Sequence, residues 1–199
     1  MLVSVRHKLV ILAMPKCGSS ALHASLAGHA DMILRGAPGI KHTTFRKYDR
    51  FLRPYLETLT KTPPEVVCLF REPLDWLHSW WRYRARDNMP NPENSTRHLG
   101  FDAFVEAYLD NMQKPADVGR QSRFVARPDG TVGVDRIFRH DRMDCFVGFL
   151  ENRLEIRLTL DWHNVSPAAG SPDELSPTTR TAAMEALARD YEIYETLAE

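Results

Sequence analysis

The stretch from Leu9 to Leu22 constrains this chain more than any other. It reads LVILAMPKCGSSAL, an apolar run that breaks into a small polar loop and restarts as a helix. The run has the length of a buried parallel strand, Pro15 ends it, Gly18 permits a tight turn, and Ser19 or Ser20 can cap the helix that follows. A helix start of this kind suits an anion. Its first backbone N–H groups have no partner within the helix and the macrodipole is positive there, so a phosphate oxygen completes it, and Lys16 adds a full charge.

The remaining pattern alternates strands with helices. Asp31 to Leu34 reads as a short strand before the turn-rich Arg35 to Gly39. Phe45, Tyr48, Phe51, Leu52, Tyr55, Leu56 and Leu59 recur at helical spacing, predicting a helix capped by Thr43 or Thr44 that runs to about Thr60. Glu65 to Phe70 reads as a second buried strand, and Pro73 opens a helix marked by Trp76, Leu77, Trp80, Trp81 and Arg84. Residues 87–99 are a loop by composition, long enough for a lid or an acceptor-binding segment. Further on come a helix over Phe101 to Leu109, a loop over 112–123 and a strand over Val134 to Phe138. Then follow a helix over Asp141 to Asn152, a strand over Ile156 to Leu160, and a Pro/Gly/Ser-rich connection over 161–176. Ser176-Pro177 opens a last helix, with Met184, Leu187, Ala188, Tyr191 and Tyr194 on one face. This predicts an α/β fold with a mostly parallel central sheet flanked by helices. In such sheets ligands bind beyond the carboxyl ends of the strands, where Lys16 and Arg71 fall.

At 199 residues the chain is expected to be a single domain spanning 1–199. Charge is balanced, 26 basic against 26 acidic residues, but residues 1–100 hold 15 Lys and Arg against 8 Asp and Glu. An anionic ligand gripped by the first half fits that asymmetry; a nucleic-acid coat would favour a strongly basic domain. Cys17, Cys68 and Cys145 are far apart with no CxxC, which suggests neither a disulfide framework nor a zinc site and fits a reducing cytoplasm. No run approaches the 18 apolar residues of a membrane span, and residues 9–14 are too few for a signal peptide.

The order of residues in the loop separates two chemistries. A Walker A loop, GxxxxGK[ST], places its lysine after the second glycine and keeps a hydroxyl for magnesium. Here Lys16 precedes Gly18. Pro15-Lys16-Cys17-Gly18-Ser19-Ser20 instead resembles the 5′-phosphosulfate loop, P-K-[ST]-G-[ST]-[ST], of sulfotransferases that use 3′-phosphoadenosine 5′-phosphosulfate (PAPS), with Cys17 a mild departure. A second signature, Arg71-Glu72-Pro73 followed by Ser79, resembles the 3′-phosphate motif of the same family. An arginine fork plus a hydroxyl is a good phosphate clamp. Lys41 to Arg46, Gln121 to Phe124, His163 to Ser166 and Asp190 to Tyr194 extend the resemblance to glycan-type and related bacterial sulfotransferases over nearly the whole chain.

The resemblance implies a P-loop-like three-layer α/β fold, PAPS as donor, PAP as product, a hydroxyl-bearing small-molecule or carbohydrate acceptor, and no catalytic metal. It assigns the donor to Lys16, Cys17, Gly18, Ser19, Ser20, Ala21, Arg71, Ser79 and Arg123. Lys16 would stabilise the leaving phosphate, His42 would be the base, and Lys41 would hold the sulfuryl group in flight. Gln121 and Arg123 could complete the nucleotide site, Glu72 is less favoured than His42 as the base because an acid after Arg71 would more naturally orient that arginine, and His163 and Asn164 could face the site. Trp80 reads as core, and Arg82, Arg84 and Arg86 as charges complementing a helix end. The rival readings are a small-molecule P-loop kinase, which needs a lysine after its glycine and magnesium carboxylates, and a non-catalytic PAP- or PAPS-binding module.

Overall fold

The computed structural model describes residues 1–110, 113–159 and 175–197. They fall into two compact units, one drawn from Met1–Arg71, Gln121–Asn164 and Leu197–Glu199, the other from Glu72–Arg120 and Val165–Thr196.

The first unit is α/β, built on a five-stranded sheet. β1 (Leu2–Ser4), β2 (Leu9–Leu12), β3 (Met32–Ile33), β4 (Glu65–Phe70) and β5 (Arg136–Arg139) lie in the order β3-β1-β2-β4-β5. β2, β4 and β5 are parallel, with Leu12 opposite Cys68 and Phe70 opposite Arg139, so their carboxyl ends share one edge. β1 is antiparallel to both β2 and β3. The sheet is therefore mixed, where the sequence implied a mostly parallel one. The difference comes from β1, which the sequence pattern hides. Its hairpin turn, Val5 to Lys8, carries no Gly, Asn or Asp, and Lys8 itself takes the left-handed conformation at φ 49° while its N–H donates to Val5 O at 3.1 Å.

β2 and β4 are apolar on both faces because both are covered: Leu9 to Leu12 and Val66 to Phe70 are all buried. Edge strand β5 instead begins and ends on arginines, as an edge facing water should. Around the sheet run α1 (Ser19–Ser25), α2 (Pro38–Lys41), α3 (Phe45–Lys47), α4 (Arg53–Thr60), α7 (Gln121–Val125) and α8 (Met143–Leu154). α3 and α4 form one continuous helical segment through a wide π turn at Tyr48–Leu52. That turn adds a residue to the register. The buried row then runs Phe45, Tyr48, Leu56, Thr60, while Phe51, Tyr55 and Leu59, predicted on the inner face, point outward.

The strand predicted over Ile156 to Leu160 is absent from its described residues, 156–159. Glu155, left-handed at φ 58°, ends α8, and Leu158 N–H donates to the Glu151 carboxylate at 2.9 Å instead of to a neighbouring strand. Part of the loop expected over 112–123 is helical, since α7 begins at Gln121.

The second unit is helical, made of α5 (Pro73–Arg84), α6 (Phe101–Leu109), α9 (Pro177–Ala186) and α10 (Ala188–Thr196). Ser176 caps α9, accepting from Thr179 N–H at 3.1 Å. The single last helix of the sequence reading is broken at Leu187, and the buried positions are Thr179, Ala183, Leu187, Asp190 and Ile193. Met184, expected inside, is exposed. Trp76 is buried, and His78 stacks on Trp81 and meets Phe101 edge-on, so these α5 aromatics are core. Arg84 is buried and pairs with Asp117 at 3.0 Å. The 87–99 loop is stitched to the end of α5: Thr96 Oγ1 donates to Trp81 O at 2.7 Å, and Trp81 Nε1 donates to Leu99 O at 2.8 Å. Among the described residues, no helix is long and apolar enough to cross a membrane.

Gly133 sits directly against the fully buried Phe45 ring, which a Cβ at that position would overlap. Gly133→Ala should therefore cost about 1–3 kcal/mol through overpacking, read as a lower urea midpoint with an unchanged m-value.

Candidate functional site

The loop after β2 is shaped by backbone conformation. Lys16 and Gly18 are both left-handed, at φ 65° and 71°, and Gly18 is the N-cap of α1 with no side-chain cap. Neither Ser19 nor Ser20 caps the helix, contrary to expectation. The first amides of α1 thus have no side chain bonded across them, and Ser20 is exposed. Cys17 turns inward, 1% exposed, with its Sγ 3.9 Å from Gln121 Oε1, so a ligand on this loop meets the Cys17 backbone and not its thiol. Cys68 on β4 is fully buried, and burial pushes its thiol well above the usual range, with Cys17 adding to the effect.

Three further predicted residues reach the same loop. Lys41, at the end of α2, donates from Nζ to Ser20 Oγ at 3.0 Å. Arg71, just beyond β4, donates from Nη1 to Lys16 O at 3.0 Å. His42 Nδ1 lies 2.7 Å from Ala13 O. Because a carbonyl can only accept, Nδ1 carries the proton, and neutral His42 presents an unprotonated Nε2. Burial lowers the His42 pKa, opposed by that hydrogen bond and reinforced by Lys41, the N-terminal amine and Lys16. His42 is therefore neutral near pH 7, in the tautomer a general base requires.

Gln121 proves to be the brace of this arrangement. It is 1% exposed, its Oε1 accepts from Arg71 N–H at 2.9 Å, and its Nε2 donates to Arg71 O at 2.8 Å. An amide engaged at both ends on one residue's backbone positions Arg71 and has little left for a nucleotide. Arg123, two residues on, is exposed and makes no hydrogen bond or ion pair among the described residues. Ser79 is buried on α5, in the second unit. Also in that unit, Glu72 caps α5, accepting from Asp75 N–H at 2.6 Å, while its other oxygen accepts from Tyr191 Oη at 2.6 Å. Both oxygens being engaged, Glu72 serves structure. Burial and that carboxylate push the Tyr191 pKa up. His163 and Asn164 lie outside the described residues.

The sequence reading overlooked His23. It is 9% exposed on α1, at i+4 from Ser19 and i+1 from Leu22, both also buried, and its Nε2 lies 3.3 Å from the Met1 amine. Helical spacing with Ser19, Leu22 and Leu26 was the available signal. Burial, then the amine, Lys41, His42 and Arg35 push the His23 pKa down to about 4. Burial also lowers Lys41.

Comparison with known proteins returns nothing: no family model, no curated protein and no solved structure matches this chain.

Two outcomes follow from the geometry. Gln121→Ala leaves the Arg71 N–H and C=O without their partners and should cost about 1–3 kcal/mol by urea unfolding. His23 has a folded pKa below its unfolded value of 6.5, so the unfolded chain binds protons first as pH falls. Its contribution is complete above about pH 6.5 and is lost progressively toward pH 4. The melting temperature should drop across that window, and His23→Gln should flatten the slope.

Proposed function

We propose that this protein is a sulfotransferase that moves the sulfuryl group of PAPS to a hydroxyl acceptor and releases PAP. The observation that carries the reading is the convergence of Lys41, His42 and Arg71 on the segment from Ala13 to Ser20, where they meet Ser20, Ala13 and Lys16 respectively, with His42 held in the base-competent tautomer. Cationic side chains and an uncapped helix start make a site for anionic groups, and a neutral imidazole beside them provides a proton acceptor. Sequence adds a second support. Arg71-Glu72-Pro73 with Ser79 eight residues after the arginine matches the spacing of the family's 3′-phosphate motif. The parallel strands β2, β4 and β5 are the part of the sheet we take as P-loop-like.

PAPS supplies the sulfuryl group and a good leaving phosphate. The Lys16 ammonium and the Gly18 to Ala21 amides would hold the 5′ side and stabilise charge as it develops on the leaving oxygen. Lys41, next to Ser20, would steady the group in flight. His42 Nε2 would take the acceptor's proton as the acceptor oxygen bonds to sulfur and the bond from sulfur to the phosphate oxygen breaks. The acceptor is a small-molecule or carbohydrate hydroxyl, and free thiols at Cys17 and Cys68 suit a cytoplasmic setting.

Thermal unfolding with PAP, AMP and magnesium-ATP tests the reading. At about 100 times its dissociation constant a true ligand should add ~2.7 kcal/mol. Stabilisation by PAP alone supports the proposal, and stabilisation by magnesium-ATP alone replaces it with a kinase. With labelled PAPS and an acceptor panel, Lys16→Ala should lower kcat by ~10²–10³. The pH profile of kcat/KM should rise through a pKa below 6.5 and lose that limb in His42→Ala.

A further inference from the structure

We infer that the outer face of the α3–α4 segment docks onto an anionic membrane surface. The side chains of Phe51, Tyr55 and Leu59 are 66%, 55% and 45% exposed, at steps of four along one helix. Three large apolar side chains in one exposed row are unusual on a water-facing helix. The row covers eight residue steps, about 12 Å along the axis. It exists because the wide turn at Tyr48–Leu52 lets the buried row continue through Leu56 and Thr60, leaving a second apolar row outside.

Charge beside the row selects the occupant. Arg46, Lys47 and Arg50 are exposed, and Lys47 lies one four-residue step before Phe51. The Arg50 guanidinium lies over the Phe51 ring, 5.1 Å from its centroid. The segment's two acids do not oppose them: Asp49 is paired with Arg53 at 3.0 Å, and Glu57 is half-buried. A convex ridge with a cationic border fits a bilayer whose headgroups are anionic and whose acyl region begins just beneath. Tyr55, apolar along its ring and polar at its tip, suits that boundary. The inference requires nothing bound in the loop after β2.

The test is flotation of the full chain with phosphatidylcholine vesicles, alone or containing phosphatidylglycerol. Binding should need the anionic lipid and weaken as salt is raised. It should fall by about tenfold or more in Phe51→Ser/Tyr55→Ser/Leu59→Ser, and likewise in Lys47→Glu/Arg50→Glu. All five side chains are exposed, so both variants should keep the wild-type urea midpoint, and the charge variant decides if the apolar one does not. No binding to anionic vesicles, equal binding to neutral ones, or variants that bind like wild type would overturn the inference. So would a dimer in sedimentation that the triple substitution abolishes, since a second copy would then be the occupant.

Discussion

The site depends on a single amide. Gln121 donates to and accepts from the backbone of Arg71, at the point where β4 leaves the sheet, and its oxygen also faces the Cys17 thiol. Arg71 in turn donates to the carbonyl of Lys16. The loop after β2 and the end of β4 are thereby tied through the buried Gln121 amide and the half-buried Arg71, so each bond is costly to lose. A loop containing two left-handed residues would otherwise have many shapes. Tied at Lys16 and Cys17, it holds the helix start open.

A second consequence is electrostatic. Burial lowers both His23 and His42, and Lys41 and the N-terminal amine add to it at both, with Lys16 contributing at His42. A site that disfavours its own protonation is one that an anion relieves. The same physics keeps His42 neutral and directs its free nitrogen away from Ala13, because the carbonyl there can only accept. Preorganised cations and a neutral base are what an in-line transfer from an anionic donor requires.

Much of this was legible in local pattern. Glu65 to Phe70 emerged as a strand and Phe101 to Leu109 as a helix with the boundaries read from the sequence, because the first is a short continuous apolar run and the second a helically spaced one, each with clear stops. Lys16 and Arg71 could be named from the strand ends they follow, whereas Lys41 and His42 came from the family resemblance. The hairpin of β1, the break at Leu187 and the outward turn of Phe51 could not. Lys8 adopts a conformation its side chain does not advertise, and a π turn shifts the register without leaving a composition signal.

The sequence by itself determined which chemistry is present: an apolar strand that stops at a lysine-glycine loop, and a second strand that stops at an arginine. Those are local properties, set by hydrophobic period and by the residues that break it. Only the tertiary structure decided what those groups touch. That Gln121 braces Arg71 rather than meeting a ligand, that Cys17 faces inward, that Glu72 is engaged by Tyr191, and that His42 bears its proton on Nδ1 all depend on partners from 29 to 119 residues away. Hydrogen-bond partnership across such separations is a product of packing, and no window of sequence contains it.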